Sequence, residues 1–247
     1  MKSSQTMHTL PGASQFPTTR WTLVIAAADP QRKEARSALV SLCENYWYPL
    51  YAYLRRRGYA SDQAQDLTQD FFIRVLEGRY LDRADPEKGR FRSFILTSLK
   101  FFVADENDRQ RARKRGGGMV VPLEFSTGEE RYQREPAHGE TPERIFERRW
   151  ALCILERVVE KLRAEFVSHG RQEHFDRLKV FLLGSSEAPY SALAQEMNTS
   201  EGALKVAIHR LRKRYRELFR QEIADTVADP AEVESELRHL AAALNGK

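Results

Sequence analysis

Apolar residues recur at three- and four-residue spacing along most of the chain, and the two-residue alternation typical of strands is rare. Such spacing indicates amphipathic helices, each of which buries one face. It predicts an all-α fold, with helices that begin near residues 39, 61, 91, 142, 171, 190 and 201, and a last helix after Pro230.

Glycines and prolines divide these helices into two predicted domains. Gly116–Gly118 ends the third helix, because successive glycines disfavour helical structure. Residues 119–142 contain three prolines and little periodicity, and residues 116–143 carry six acids against two bases. The predicted organisation is an N-terminal extension (1–34), a helical domain (35–115), an acidic linker (116–142), a second helical domain (143–224) and a C-terminal amphipathic extension (225–247).

Local signals predict how some of the helices begin or bend. Asp62 and Gln65 have the spacing of a capping box. Thr141 followed by Pro142 is typical of a helix start, because threonine caps the first turn and proline fits its first position. Pro49 is predicted to kink the first helix, since proline removes a backbone hydrogen bond.

Composition excludes several classes of protein. Hydrophobic residues make up 41% of the 247 residues, which is enough for two small cores. Two distant cysteines, Cys43 and Cys153, permit at most one disulfide and no CxxC metal knuckle. The polar N-terminus lacks the apolar core of a secretory signal, and no apolar run approaches the roughly 18 residues of a membrane span. We therefore expect a cytoplasmic protein with no membrane partner.

The sequence contains no recognisable catalytic constellation. His169 and His174 are five residues apart, which is the wrong spacing for a metal pair at i and i+4 on one helix. No HExxH or GxSxG motif is present, and Gly116–Gly118 lacks the Lys-Ser/Thr that completes a phosphate-binding loop. We predict no enzymatic activity, no metal and no cofactor.

Positive charge is concentrated in two segments, although the net charge is only +5. The first segment, at the end of the third helix, holds five cations among seven residues and no acid. One interpretation is a solvated helix end, but one or two cations are enough to complement the helix macrodipole. Contact with nucleic-acid phosphates is the alternative, and it explains why five cations are present. These cations are Arg109, Arg111, Arg113, Lys114 and Arg115.

The second basic segment follows a helix-turn-helix pattern. Ala194 is small enough to let two helices approach, and Asn198 tolerates the positive φ that is usual in such a turn. Leu204 and Ile208 are predicted to anchor the second helix in the core. An ordinary helical hairpin with a solvated face is the alternative. The cations of this helix are Lys205, Arg210, Arg212, Lys213, Arg214, Arg216 and Arg220.

The second helix instead carries an acidic face. Asp62, Asp66 and Asp70 are spaced i, i+4 and i+8, so they stack on one side, where like charges mildly destabilise a lone helix. A solvated face and a docking surface for a basic partner both fit this pattern.

Three stretches of the chain together resemble a bacterial RNA polymerase sigma factor of the extracytoplasmic-function (ECF) type. Residues 62–76 (DQAQDLTQDFFIRVL) resemble the family's polymerase-binding helix, and residues 89–115 (beginning GRFRSFIL) resemble the helix that recognises and melts the −10 element. Residues 190–219 are similar to the −35-binding helix-turn-helix. The resemblance covers about 35–115 and 145–220, and implies a region-2-like bundle followed by a region-4-like domain.

The resemblance also implies partners and site residues. The expected partners are core RNA polymerase and promoter DNA, and an anti-sigma factor is a further candidate. The implied polymerase-binding residues are Asp62, Asp66, Gln69 and Asp70. The implied −10 residues fall into two groups. A loop from Tyr80 to Arg90 captures a flipped base and is bordered by Phe91, Phe94 and Lys100. The basic end of the −10 helix supplies Arg109, Arg111, Arg113, Lys114 and Arg115. The implied −35 residues are Ser200, Glu201, Lys205, His209, Arg210, Arg212 and Lys213.

The chain departs from the family's pattern at three positions. Gln65 replaces the usual Glu of the polymerase-binding motif, so one docking charge is missing. Phe101 stands where many relatives have an Asn near the base pocket, and Asn198 replaces the common turn Gly.

The two acidic segments have alternative interpretations. In the family the linker threads through the polymerase, whereas a solvated tether fits the sequence equally well. The C-terminal extension either packs on the second domain or covers its basic helix. Packing is favoured by an apolar stripe that needs burial, formed by Val233, Leu237, Leu240 and Leu244.

Two other functions compete with a sigma factor. A helix-turn-helix regulator acting without polymerase would leave the acidic face and the helix after Phe91 unexplained. A nucleic-acid-processing enzyme would need a metal or nucleophile cluster that the sequence does not contain.

Overall fold

The computed structural model describes residues 35–77, 80–81, 84–85, 89–112, 126–135, 139–182, 190–227 and 229–245. All regular structure in these residues is helical, which confirms the predicted all-α class. The α-helices are α1 (Ala35–Arg56), α2 (Ser61–Leu76), α3 (Phe91–Ala112), α4 (Ser126–Gln133), α5 (Pro142–Ser168), α6 (Gln172–Leu178), α7 (Tyr190–Glu196), α8 (Glu201–Ala224) and α9 (Val233–Leu244); short 3₁₀ turns span Lys179–Phe181 and Pro230–Glu232.

An aromatic core joins α1, α2 and α3. Tyr46 on α1 meets the ring of Phe91 edge-on at 5.5 Å, and Phe71 on α2 packs 5.7 Å from Phe102 on α3. All four rings are almost completely buried. Because aromatic rings bury large apolar areas and prefer such tilted contacts, they fix the arrangement of the three helices.

Helix α1 continues through Pro49, and the kink predicted there remains a prediction. The predicted start of α2 differs in the structure. The cap of α2 lies earlier than the predicted Asp62–Gln65 pair, because Ala60 occupies the N-cap position and its backbone N–H donates to Gln63 Oε1 at 3.3 Å. Gln63, at the third helical position, therefore accepts a hydrogen bond from the free backbone N–H at the start of the helix. The predicted box gave this role to Gln65, with Asp62 as the N-cap residue.

The segment predicted as a linker contains helix α4, which packs on α1. Gly128 makes this close approach feasible, since a Cβ there would lie 3.2 Å from the Trp47 ring. Arg55 donates two 2.8 Å hydrogen bonds to Glu129, and the Tyr51 hydroxyl adds a third at 2.7 Å. The helix is short and polar, so these tertiary contacts, rather than any apolar periodicity, hold it in place.

These hydrogen bonds make the docking of α4 sensitive to acid. Donation from Arg55 lowers the pKa of Glu129 from its ordinary 4.5 to about 2, against an opposing effect of burial and with further help from Tyr51. Because the folded pKa lies below the unfolded one, the stabilisation is complete above pH 4.5 and is lost as the pH falls towards 2.

Replacing Glu129 by Gln is expected to lower the free energy of unfolding near pH 6 by about 1 kcal/mol at most, since the pair is partly in water. The difference from the native chain should shrink steadily below pH 4.5. Urea unfolding at several pH values measures it, with Glu130→Gln at the exposed neighbouring position as control. A pH-independent difference would contradict the assignment.

Helix α5 is the centre of the molecule, because it packs against α1, α8 and α9. Its predicted start is confirmed: Thr141 accepts a 3.2 Å hydrogen bond from the Arg144 N–H, and Pro142 occupies the first turn. Its buried side chains include Phe146, Trp150, Ile154 and Val158. The two predicted domains are therefore in direct contact along α1 and α5.

The C-terminal helix packs on α5 and α8, as its apolar stripe predicts. Val233 and Leu240 are buried, and Leu237 and Leu244 are partly buried against the same core. The extension is thus part of the folded structure rather than a solvated tail.

Candidate nucleic-acid and polymerase interfaces

The acidic face of α2 lies at the surface. Leu67, Phe71 and Val75 are buried as predicted, which turns the opposite side of the helix outward. Three of the four predicted polymerase-binding side chains are exposed and Gln69 is half-buried; the exposed ones are Asp62, Asp66 and Asp70.

Helix α3 extends this acidic surface. Asp105 and Glu106 lie beside α2, where Arg74 pairs with them at 3.7 and 3.1 Å. Desolvation raises the pKa of Asp70, and the nearby charges of Glu106 and Asp66 raise it further. Negative charge is therefore concentrated beyond what Arg74 neutralises, which favours a basic partner. No sequence pattern indicates that Asp105 and Glu106 belong to this face, because only the packing of α3 on α2 brings them here.

An open cavity of about 380 Å³ lies at the beginning of α3. Phe101 lies at the edge of the cavity and is 71% exposed, which is unusual for so large an apolar side chain. Aromatic faces beside hydroxyls and one guanidinium can stack a nucleobase and contact its polar edge or a phosphate. The lining also includes one carboxylate, which accepts hydrogen bonds from a base edge and repels a phosphate. The lining residues that bear on this chemistry are Tyr80, Asp85, Arg90, Ser93, Phe94, Thr97 and Phe101.

Two residues predicted to border the base pocket lie elsewhere. Phe91 is only 2% exposed and packs in the core against Tyr46, because the first turn of α3 directs it inward. Lys100 lies on another side of α3, where its ammonium pairs with Glu143 at 2.7 Å and lies 5.7 Å from the centre of the Tyr53 ring.

Ser93 and Thr97 line the cavity although the predicted site did not include them, and Phe101, which the resemblance places near the base pocket, lines it as well. Their three- and four-residue spacing from Arg90 and Phe94 was the available signal, since such positions share one helix face. Of the predicted basic cluster, Arg113, Lys114 and Arg115 lie outside the described residues, as do the side chains of Arg109 and Arg111.

The helix-turn-helix geometry follows the predicted pattern. Asn198 has a φ of 49°, and the Thr199 N–H closes the turn on the Ala194 carbonyl at 2.9 Å. Ala194 is buried where α7 meets α8, together with Leu204 and Ile208. Each of these features is what the sequence required of such a turn.

Most of the predicted −35 side chains are exposed on α8 or at its start. Ser200 caps the helix by accepting a 3.2 Å hydrogen bond from the Ala203 N–H, and Lys213 lies 4.0 Å from Glu217. Exposed side chains along the outer side of the helix are those of Glu201, Lys205, His209, Arg210, Lys213 and Arg216.

Arg212 is placed differently from the other −35 candidates. It is half-buried, and its Nε donates a 2.7 Å hydrogen bond to the Phe181 carbonyl. This bond ties α8 to the 3₁₀ turn over Lys179–Phe181. Its position on the helix turns it towards the domain core rather than towards a groove of DNA.

Two further cations of α8 are neutralised within the protein. Arg214 forms a two-pronged pair with Glu165 at 2.5 and 2.9 Å, which raises the pKa of its guanidinium. Arg220 pairs with Glu234 of the C-terminal helix at 2.5 Å. The basic surface is therefore smaller than the sequence count of cations suggests.

Other site chemistries find no support in the part of the chain that the structure describes. These residues bring no three His, Cys, Asp or Glu side chains together in a way that could hold a metal ion. None of the described helices combines the length and the apolar character needed to cross a membrane.

Comparison with known proteins finds similarity to one family over part of the chain. Residues 43–113 match the family model for sigma-70 region 2. No curated protein and no solved structure matches the chain. The matched residues include α2 with its acidic face, the cavity and the described part of α3. The chain is therefore similar to sigma-70 region 2 over residues 43–113, which make up less than a third of its length.

Proposed function

We propose that this protein is an ECF-type sigma factor that binds core RNA polymerase and directs it to promoters with a −35 duplex element and a melted −10 element. The observation that carries the proposal is the aromatic cavity at the start of α3, in the same bundle as the acidic face of α2. Both lie within the residues that match sigma-70 region 2. In this role the protein itself catalyses no reaction.

The acidic face of α2 is proposed to dock on the polymerase. Exposed carboxylates on one side of a rigid helix offer electrostatic complementarity to a basic surface, which increases the association rate and selects the partner. Asp66 and Asp70 are central to this face, Asp62 lies one turn before them, and the half-buried Gln69 lies between them in the sequence.

The cavity is proposed to hold one base of the melted −10 strand. Extracting a base from its stack costs a few kcal/mol, and stacking on aromatic side chains returns about 1–3 kcal/mol per base. Phe94, Phe101 and Tyr80 supply ring surfaces, whereas Ser93 and Thr97 offer hydroxyls to the base edge. The replacement of the family's Asn by Phe101 gives this pocket more stacking surface and fewer polar contacts.

The outer side of α8 is proposed to enter the major groove of the −35 element. Lys205, His209 and Arg210 are exposed in the first part of the helix, which is where recognition helices contact base edges. A lysine or arginine contacts the O6 and N7 atoms of guanine there.

Transcription reconstituted with core polymerase tests the proposed function. The purified chain and core enzyme are mixed with a library of promoter fragments from the source genome, and the transcripts are sequenced. We expect initiation from a subset that shares −35 and −10 sequences. If the chain instead binds duplex DNA tightly, without polymerase and without supporting initiation, it is a helix-turn-helix regulator and the proposal is wrong.

The proposed −35 contacts predict two different effects of losing one cation. Arg216→Ala is expected to weaken binding to all duplexes similarly and to reduce the slope of log K against log salt by about 0.9, because one phosphate contact is lost. Lys205→Ala is expected to cost about 1–3 kcal/mol on the preferred duplex and to relax base preference at one position.

Titrations of holoenzyme with matched and single-mismatch −35 duplexes at several salt concentrations measure both effects. Lys179→Ala, an exposed lysine outside α8, is the control and should change neither quantity. The assignment of Lys205 to the groove is contradicted if base preference is unchanged.

A further inference from the structure

The C-terminal helix carries a completely buried carboxylate. Glu236 has no exposed surface, whereas Glu234 on the same helix is 63% exposed. Glu236 forms ion pairs with Arg92 and, at 2.9 Å, with Arg90. A buried carboxylate is costly unless cations compensate it, so this helix end depends on two arginines from the first turn region of α3.

Arg90 is also a residue of the proposed −10 cavity. Its Nη2 donates to Ser235 Oγ at 3.3 Å, so two neighbouring residues of α9 engage the same guanidinium. In a DNA complex the Arg90 guanidinium would contact a phosphate or a base edge. In the structure it instead contacts the Glu236 carboxylate, which neutralises its charge within the protein.

Arg92 of α3 contacts side chains of both α5 and α9. It is 2% exposed, it pairs with Glu147 of α5 at 2.7 Å, and its guanidinium lies 4.5 Å from the centre of the Trp150 ring. Glu147 also contacts His239 of α9 at 3.1 Å. Buried pairs are screened little by salt, and removing one partner leaves the other uncompensated.

The same C-terminal helix reaches the second DNA-facing surface. Glu234 pairs with Arg220 near the end of α8 at 2.5 Å. Glu236 and Glu234, two residues apart on one helix, therefore engage Arg90 of the cavity and Arg220 of α8. This arrangement is what a segment competing with nucleic acid for those cations would show.

We propose that α9 is an autoinhibitory latch, which masks Arg90 in the free protein and is displaced when the −10 strand enters the cavity. The proposal rests on the proposed function, because it assigns Arg90 to DNA. In the free protein, the ion pairs of Glu236 with Arg90 and Arg92 hold α9 in place. When the −10 strand binds, its phosphates replace the Glu236 carboxylate beside Arg90, and α9 is displaced.

The test measures the masking of Arg90 without using DNA or polymerase. The full chain is treated with an arginine-selective dicarbonyl reagent, and the modification of each arginine is followed by mass spectrometry. We expect Arg90 to react about tenfold more slowly than the exposed Arg216, a difference that corresponds to about 1.4 kcal/mol of protection.

Glu236→Gln keeps the shape of the side chain but removes its charge, and a chain ending at Asp229 removes α9. Both should increase the reaction rate of Arg90 about tenfold. Glu234→Gln, on the same helix, is the matched control and should leave the rate of Arg90 unchanged. A synthetic peptide of residues 230–247 should restore protection to the shortened chain.

A second measurement connects the latch with DNA. Binding of a labelled single-stranded −10 oligonucleotide is followed by fluorescence anisotropy for the same variants. We expect Glu236→Gln and the shortened chain to bind about tenfold more tightly than the native chain, and Glu234→Gln to bind like it.

Three outcomes would count against the inference. Rapid modification of Arg90 in the native chain overturns the masking. Failure of both Glu236→Gln and the shortened chain to fold, seen by circular dichroism, makes α9 a permanent structural element and overturns the latch. If Arg90 is unmasked but DNA affinity stays the same, the masking stands and the assignment of Arg90 to the −10 strand is wrong.

Discussion

Reversing the charge of Asp66 and Asp70 together, by substitution with Lys, is expected to weaken binding to core RNA polymerase by more than about 100-fold. Both side chains are exposed on one face of α2. Placing like charges against a basic docking surface costs several kcal/mol, which exceeds the loss from merely removing a favourable pair. Binding of a fluorescently labelled chain to core enzyme measures the change.

Loss of folding is not expected to contribute to this effect. The pKa of Asp70 is raised by desolvation and by Glu106 and Asp66, so its ionised form is disfavoured in the folded protein. Removing that charge should leave thermal stability unchanged or slightly higher. Under the proposed function, the variant should also retain the −35 duplex affinity of the native chain.

A matched control separates this surface from a general effect of charge. Reversing Glu130 and Glu173 together changes the net charge by the same amount at exposed positions on α4 and α6. This double variant should bind core polymerase like the native chain. If it loses binding equally, long-range charge rather than the face of α2 is responsible, and the docking assignment fails.

Phe101→Ala is expected to weaken binding of melted −10 DNA by about 1–3 kcal/mol, the usual contribution of one stacked base. Because the Phe101 side chain is 71% exposed, its removal should leave the free energy of unfolding nearly unchanged. Forked promoter fragments with an unpaired −10 strand, titrated with the polymerase complex, measure the loss. The effect should disappear on fully duplex fragments that carry only the −35 element.

The neighbouring residue provides the contrasting control. Phe102 is 1% exposed, packs 5.7 Å from Phe71 and lies beneath the guanidinium of Arg74. Phe102→Ala should therefore cost about 3–5 kcal/mol of stability, as large-to-small substitutions in a core do. Equal stability losses for the two variants would place Phe101 in the core and contradict its assignment to the cavity.

The sequence by itself determined the helices and the helix-turn-helix. Apolar positions at helical spacing state which face must be buried, so α2, α5 and α8 follow from local patterns. The cap at Thr141 and the positive φ of Asn198 are equally local, because each depends on the chemistry of a few adjacent residues. The acidic face of α2 was visible for the same reason.

Only the tertiary structure decided the features that depend on contacts between residues distant in the sequence. Helix α4 lacks an apolar stripe and is held by Glu129 against α1, so no local pattern indicates it. The burial of Phe91 and the hydrogen bond of Arg212 to Phe181 depend on how helices pack, and helical spacing leaves that orientation open.

The C-terminal helix illustrates the same division within one element. Its apolar stripe is local, and it predicted correctly that α9 packs on the second domain. Glu234 and Glu236 look equivalent in the sequence, yet one is exposed and the other completely buried. A carboxylate is buried only where cations compensate it, and those cations, Arg90 and Arg92, lie more than a hundred residues away in the chain. Such compensation between distant residues exists only in the folded protein.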